Sequence, residues 1–178
     1  MRVTVEEKLA AILVADVPEL ERLMAHDRRA AEAALQLCHH EVIDAAIAIY
    51  GGRIFDLDEG GRTLAEFTSP LAAVRCAVEI QARLESRSAG LPPAARIRLR
   101  IGLHYGEALV DRGALSGEAL TIARRVQAVA APGEICVSRT VFDHVRNKVD
   151  LGFEHRGEYT VKNIAEPVVV YRVLVDPA

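Results

Sequence analysis

The run His39-His40-Glu41, with Asp44 close behind it, is the most compact set of potential metal ligands in the chain. On a helix, His40 and Asp44 stand one turn apart and face the same way, as two ligands of one ion must. Zinc needs a third protein ligand. The run supplies none at a suitable spacing, so it reads as helix surface. A second acidic group, Asp56, Asp58 and Glu59, borders Gly60-Gly61 and reads as a solvated turn. Asp16 closes an apolar run, a place where an acid commonly caps the turn that follows. Arg124-Arg125 lie within a helical pattern and Lys162 in a loop, both ordinary places for surface charge. His104 carries no assigned chemistry. No Ser/His/Asp set, zinc-finger spacing or P-loop occurs.

Composition narrows the class. A chain of 178 residues, 51% of them hydrophobic, can bury one sizeable core, so one domain over residues 1–178 is expected. A net charge of -3 gives no electrostatic case for nucleic acid or anionic lipid. Leu9–Val14 is far too short to span a bilayer, and no signal-peptide pattern precedes it. Cys38, Cys76 and Cys136 are odd in number, far apart and set among apolar residues. That usage fits reduced, buried thiols in the cytoplasm.

The elements alternate. Leu9–Val17 reads as a fully buried strand. Asp27 is a candidate N-cap for a helix running to about Tyr50, with Leu35, Cys38, Val42, Ala45, Ala46 and Ile49 on one stripe. Gly51-Gly52 ends it. Arg53–Leu57 and Thr63–Phe67 form a hairpin, and Ser69-Pro70 starts a second long helix. Arg96–Leu103 and Glu107–Asp111 read as another hairpin. A helix over about Gly117–Val129, a strand at Glu134–Val137, a short helix at Arg139–Val145 and strands near Phe153–Tyr159 and Val168–Val175 complete the chain. The pattern predicts an α+β fold with a βαββαβ core and appended strands.

Several segments carry a resemblance. They are Leu9-Ala-Ala-Ile-Leu-Val-Ala-Asp16-Val, Gly51-Gly-Arg-Ile54, Leu64-Ala-Glu-Phe67, Ala73-Val-Arg-Cys-Ala-Val-Glu-Ile-Gln81 and Arg100-Ile-Gly-Leu-His-Tyr-Gly106. Ile122-Ala-Arg-Arg125, Pro132-Gly-Glu-Ile-Cys-Val-Ser138, Val161-Lys-Asn-Ile164 and Pro167-Val-Val-Val-Tyr-Arg-Val173 continue it. In order and spacing, over about residues 8–174, they resemble the catalytic domain of class III adenylate/guanylate cyclases of the bacterial kind.

That resemblance implies a ferredoxin-like core, a dimer with its active site between two chains, and a two-metal site held by two aspartates. Asp16 matches the first aspartate. The second falls on Gly60 counting from Gly51-Gly52, or on Gly61 counting back from Glu66-Phe67. Either way the carboxylate is gone, and rescue by Asp58 or Glu59 needs a rearranged turn. The phosphate loop reads Pro18-Glu-Leu-Glu21, with an imide nitrogen and two negative charges where amides should meet a triphosphate. The base-reading lysine becomes Asp56 or Leu57, and its partner falls on Ala114. Thr121 stands where the transition-state asparagine belongs, while Arg125 matches the arginine beside it. Lys162 resembles a phosphate-contacting lysine, though a solvated loop lysine is the plainer reading.

The expectation is a degenerate cyclase domain, catalytically inactive, that dimerises and serves as a regulatory or ligand-sensing module. No cofactor is expected; Mg or Mn would bind only if activity is retained. Partners would be a second copy, a nucleotide or other small ligand, and further domains of a longer protein. The alternative is a working cyclase, making cAMP or cGMP from ATP or GTP through a non-standard metal site.

Overall fold

A computed structural model describes residues 5–57 and 62–175. Its framework is an eight-stranded mixed sheet. The first strand, β1 (Glu6–Asp16), is apolar along most of its length, and Ala10 to Ala15 are all buried, because both faces are covered. One antiparallel neighbour is β3 (Thr63–Phe67), which turns back from β2 (Arg53–Leu57). The other is β4 (Arg100–Asp111), paired with β1 from Glu6↔Val110 to Asp16↔Arg100. The order β2-β3-β1-β4 is that of a ferredoxin-like core. Beyond β4 follow β6 (Ile135–Ser138), β8 (Val168–Leu174) and β7 (Gly152–Tyr159), and β5 (Ala114–Ser116) folds back on β4.

Helices cover one face: α1 (Leu20–His26), α2 (Arg28–Leu37), α3 (Ala45–Ile49), α4 (Pro70–Ser88) and α6 (Arg139–Val145). Ala11, Leu13 and Ala15 point into that layer, and alternation sends Ala10, Ile12 and Val14 to the opposite face, under α5 (Glu118–Val129). Local signals set the helix ends. Asp27 accepts from the amide of Ala30 at 3.1 Å, Ser69 from that of Ala72 at 3.2 Å, and Gly51 leaves α3 with φ +75°.

The structure corrects two expectations. Arg96–Leu103 and Glu107–Asp111 do not form a hairpin: β4 runs straight through Gly106, which pairs with Ala10. The eleven-residue β1 lays its whole length against β4, so a turn at Gly106 would break the ladder. The chain turns instead at Arg112-Gly113, both at positive φ. The expected long helix from Asp27 is wound as a π-helix over Cys38–Asp44, which brings Cys38, Val42 and Ile43 together into the core. An additional helix, α1, occupies what reads in sequence as loop. No helix among the described residues is long and apolar enough to cross a membrane.

Candidate functional site

Asp16, the last residue of β1, lies directly opposite Arg100, the first of β4. Arg100 Nε donates to Oδ1 at 2.7 Å and Nη2 to Oδ2 at 3.0 Å, a fork closed on a carboxylate. Asp16 is 9% exposed, so little water competes for either oxygen. The hydrogen bonds to Asp16 push the Arg100 pKa above its ordinary value, which fixes it as a cation. Gln127 Nε2 reaches the Arg100 carbonyl at 3.4 Å, linking the strand end to α5.

The neighbouring hairpin displays little. A register shift between Ile54 and Asp56 interrupts the β2–β3 ladder, and Asp56 and Leu57 are exposed. Asp58, Glu59, Gly60 and Gly61 lie outside the described residues. After Asp16 the chain makes a turn through Pro18 and enters α1 at Leu20. Glu19 binds back to Arg22 Nε at 2.9 Å, and Arg22 Nη1 donates to the Pro93 carbonyl at 3.1 Å. That acid is thus tied to its own helix.

Thr121 and Arg125 occupy the exposed face of α5, one turn apart. The Thr121 hydroxyl donates to the Gly117 carbonyl at 3.2 Å, and the Arg125 guanidinium lies 5.2 Å from the centre of the Tyr159 ring. Ala114 opens β5 at the surface, and Lys162 is exposed in the loop before β8. α5 is seated directly on β4: a Cβ on Gly102 would come within 2.3 Å of the Gln127 backbone nitrogen.

The profile described as "Adenylate and Guanylate cyclase catalytic domain" matches residues 14–174. The chain belongs to this cyclase family. A protein of Rhizobium meliloti provisionally named adenylate cyclase 3 is 33% identical over 168 residues, which are 94% of this chain and 28% of that relative. The chain thus spans well under a third of that longer protein's length. An adenylate/guanylate cyclase/hydrolase from Silicibacter pomeroyi superposes with a TM-score of 0.90 at 36% identity, over 97% of this chain and 100% of that one. A guanylyl cyclase domain of Blastocladiella emersonii, described as a non-canonical dimer, shares the fold at TM-score 0.78 and 18% identity, covering 95% and 98% of the two chains.

Within one copy of this cyclase domain the site residues fall into separate groups. Asp16 is paired with Arg100 at one end of the sheet, while Arg125 stacks on Tyr159 across α5. No hydrogen bond or ion pair joins Asp16 to Thr121 or Arg125 among the described residues. Among the described residues the donor set does not fit two divalent ions. No group of three or more His, Cys, Asp or Glu that could hold a metal gathers among the described residues. Magnesium needs near-octahedral oxygen ligands at about 2.1 Å, and the one carboxylate in place already spends both oxygens on Arg100. At the His39–Asp44 run, Glu41 is bound instead by Arg87, which holds its carboxyl below the usual range.

Two groupings have no counterpart in the sequence reading. The Asp16–Arg100 fork joins positions 84 residues apart, a distance over which spacing carries no signal. His104 is buried on the α5 face, its Nδ1 2.8 Å from Ser138 Oγ, and Thr140 Oγ1 donates to the Tyr105 carbonyl at 2.8 Å. Burial pushes the His104 pKa down to about 4, so the ring is neutral.

Proposed function

We propose that this domain is a cyclase fold kept for regulation, one that dimerises and senses or relays a ligand without turning over ATP or GTP. The fork that Arg100 closes on both oxygens of Asp16 carries this reading. The guanidinium supplies at that carboxylate the positive charge an ion would bring, and its planar donors match both oxygens. A metal arriving there has to displace two charge-assisted hydrogen bonds. The sequence supports the same conclusion with Gly60 or Gly61 in place of the second acid, Thr121 in place of asparagine, and Ala114 and Leu57 at the base-reading positions. Each well-placed electrostatic group is worth roughly 10²–10³ in rate, so losing several leaves no useful turnover.

A second copy is the natural partner. Thr121 and Arg125 are exposed on α5 and, among the described residues, make no hydrogen bond or ion pair with Asp16 of the same chain, so a facing copy would bring the two groups together. Further domains of a longer protein would receive or supply the signal. The three buried thiols, with pKa values pushed up to about 11 for Cys38 and Cys136 and about 12 for Cys76, suit a reducing compartment such as the cytoplasm.

The test is a cyclase assay on the purified chain with ATP or GTP and magnesium or manganese. No cAMP or cGMP above that of the Asp16→Ala variant is expected; turnover that Asp16→Ala abolishes overturns the proposal. The second reading, a working cyclase that recruits Asp58 or Glu59, is favoured by the 36% identity to a protein named as a cyclase. It predicts activity that Asp58→Ala or Glu59→Ala removes.

A further inference from the structure

A cavity of about 420 Å³ opens on the helical face, between the end of α4, the approach to β4 and the turn before β6. Its size is at the small end of the range for ligand sites, roughly 300–1,000 Å³. Arg96 and Arg98, from the approach to β4, and Glu85, from α4, all line it, with Leu84, Ile97 and Pro132 among its walls. Arg96 Nε donates to the Leu91 carbonyl at 3.0 Å. Among the described residues Arg98 and Glu85 make no side-chain hydrogen bond or ion pair, and no ion pair joins Glu85 to either arginine.

Opposite charges that share a cavity without pairing leave the space between them to a ligand carrying both. The carbonyl end of α4, at Ser88 and Ala89, adds to the negative side. A simple anion would meet Glu85 and that helix end, and a simple cation would meet two guanidinium groups. A polyphosphate would meet the same acid with more charge.

We propose that this cavity binds a small zwitterion of the free amino-acid type. The ligand carboxylate lies against Arg96 and Arg98, its ammonium group against Glu85 and the last carbonyls of α4, and its apolar side chain against Leu84, Ile97 and Pro132. Gln81 connects the cavity to the candidate site: its Nε2 donates to the Leu99 carbonyl at 2.9 Å and the Glu134 carbonyl at 3.2 Å. Leu99 precedes Arg100, so a ligand that shifts this segment reaches the Asp16 fork through one peptide bond. This deepens the regulatory reading by naming its ligand class, and it is tested without measuring turnover, so either proposal can fail alone.

The experiment is a titration of the ¹⁵N-labelled chain with L-leucine, followed through the amides of Ile97, Leu99 and Gly133. Two probes run beside it: 4-methylpentanoate, which lacks the ammonium group, and 3-methylbutylamine, which lacks the carboxylate. Saturable shifts with a dissociation constant of about 1 mM or tighter are expected for leucine, with each truncated probe about tenfold weaker or more. Arg98→Gln and Glu85→Gln change exposed side chains and should each weaken leucine by a similar factor. Absence of shifts at these amides, equal binding of 4-methylpentanoate, or unchanged binding in either variant overturns the proposal. Should one variant misfold, the truncated probes on the unaltered chain still decide.

Discussion

Replacing His104 by asparagine should remove a defined share of the domain's acid sensitivity. The ring is 8% exposed and bonded to Ser138, and burial lowers its pKa to about 4, against an ordinary 6.5 that the unfolded chain restores. Between those values the unfolded state takes up a proton that the folded state refuses. The sign follows: stability is complete above pH 6.5 and declines as pH falls toward about 4, where the folded ring also titrates. At about pH 4.5 the unfolded chain is almost fully protonated at this position and the folded chain only in small part, a difference of roughly 2.5 kcal/mol at 1.36 kcal/mol per unit. Asparagine can keep a hydrogen bond to Ser138 and does not titrate. Urea unfolding of both proteins at about pH 7.5 and about pH 4.5 measures the effect, since carboxylate titration is common to the two and cancels. The unaltered chain should lose about 2–3 kcal/mol more than the variant over that interval. Equal losses, or a His104 pKa near 6.5 by NMR in the folded protein, would refute the argument.

Gly102→Ala drives a methyl into the backbone of α5 at Gln127 and should destabilise by about 3 kcal/mol or more, seen as a large fall in Tm. Arg100→Gln leaves the Asp16 carboxylate mostly buried without its counter-charge; a loss of about 1–3 kcal/mol in urea unfolding is expected, with no gain of cyclase activity. Arg125→Ala removes an exposed contact with Tyr159 and should change Tm very little, about 0.5–1 kcal/mol at most. The three cysteines are buried with raised pKa values, so a thiol reagent should label them only after denaturant is added.

Much of the fold was legible because it rests on local chemistry. Asp27, Ser69-Pro70 and Gly51 mark helix ends by capping and by positive φ, and each does so in the structure. The apolar run of β1 announces burial on both faces. What misled was a residue with two physical uses. Gly106 resembles a turn glycine, yet it is extended and accommodates His104, whose Nε2 would lie 2.9 Å from a Cβ there. Helix α1 was hidden by the proline and acids at its start, and it buries only Leu23, too little for a periodic signal. At the site, Asp16, Thr121 and Arg125 were found through family spacing, which says nothing of what each side chain touches. Arg100 lay within a quoted segment, but its role depends on the register of β1 against β4, which only the folded sheet fixes.

The placement of that ion pair at the end of the longest ladder bears on how the sheet chooses its alignment. Sliding β1 by one residue against β4 would turn Ala10, Ile12 and Val14 toward the wrong layer and strand the acid of Asp16 beside an apolar neighbour. Misthreaded chains are therefore penalised twice, once by grease and once by charge. The contact that occupies the carboxylate also acts as a latch that clicks only in the native setting.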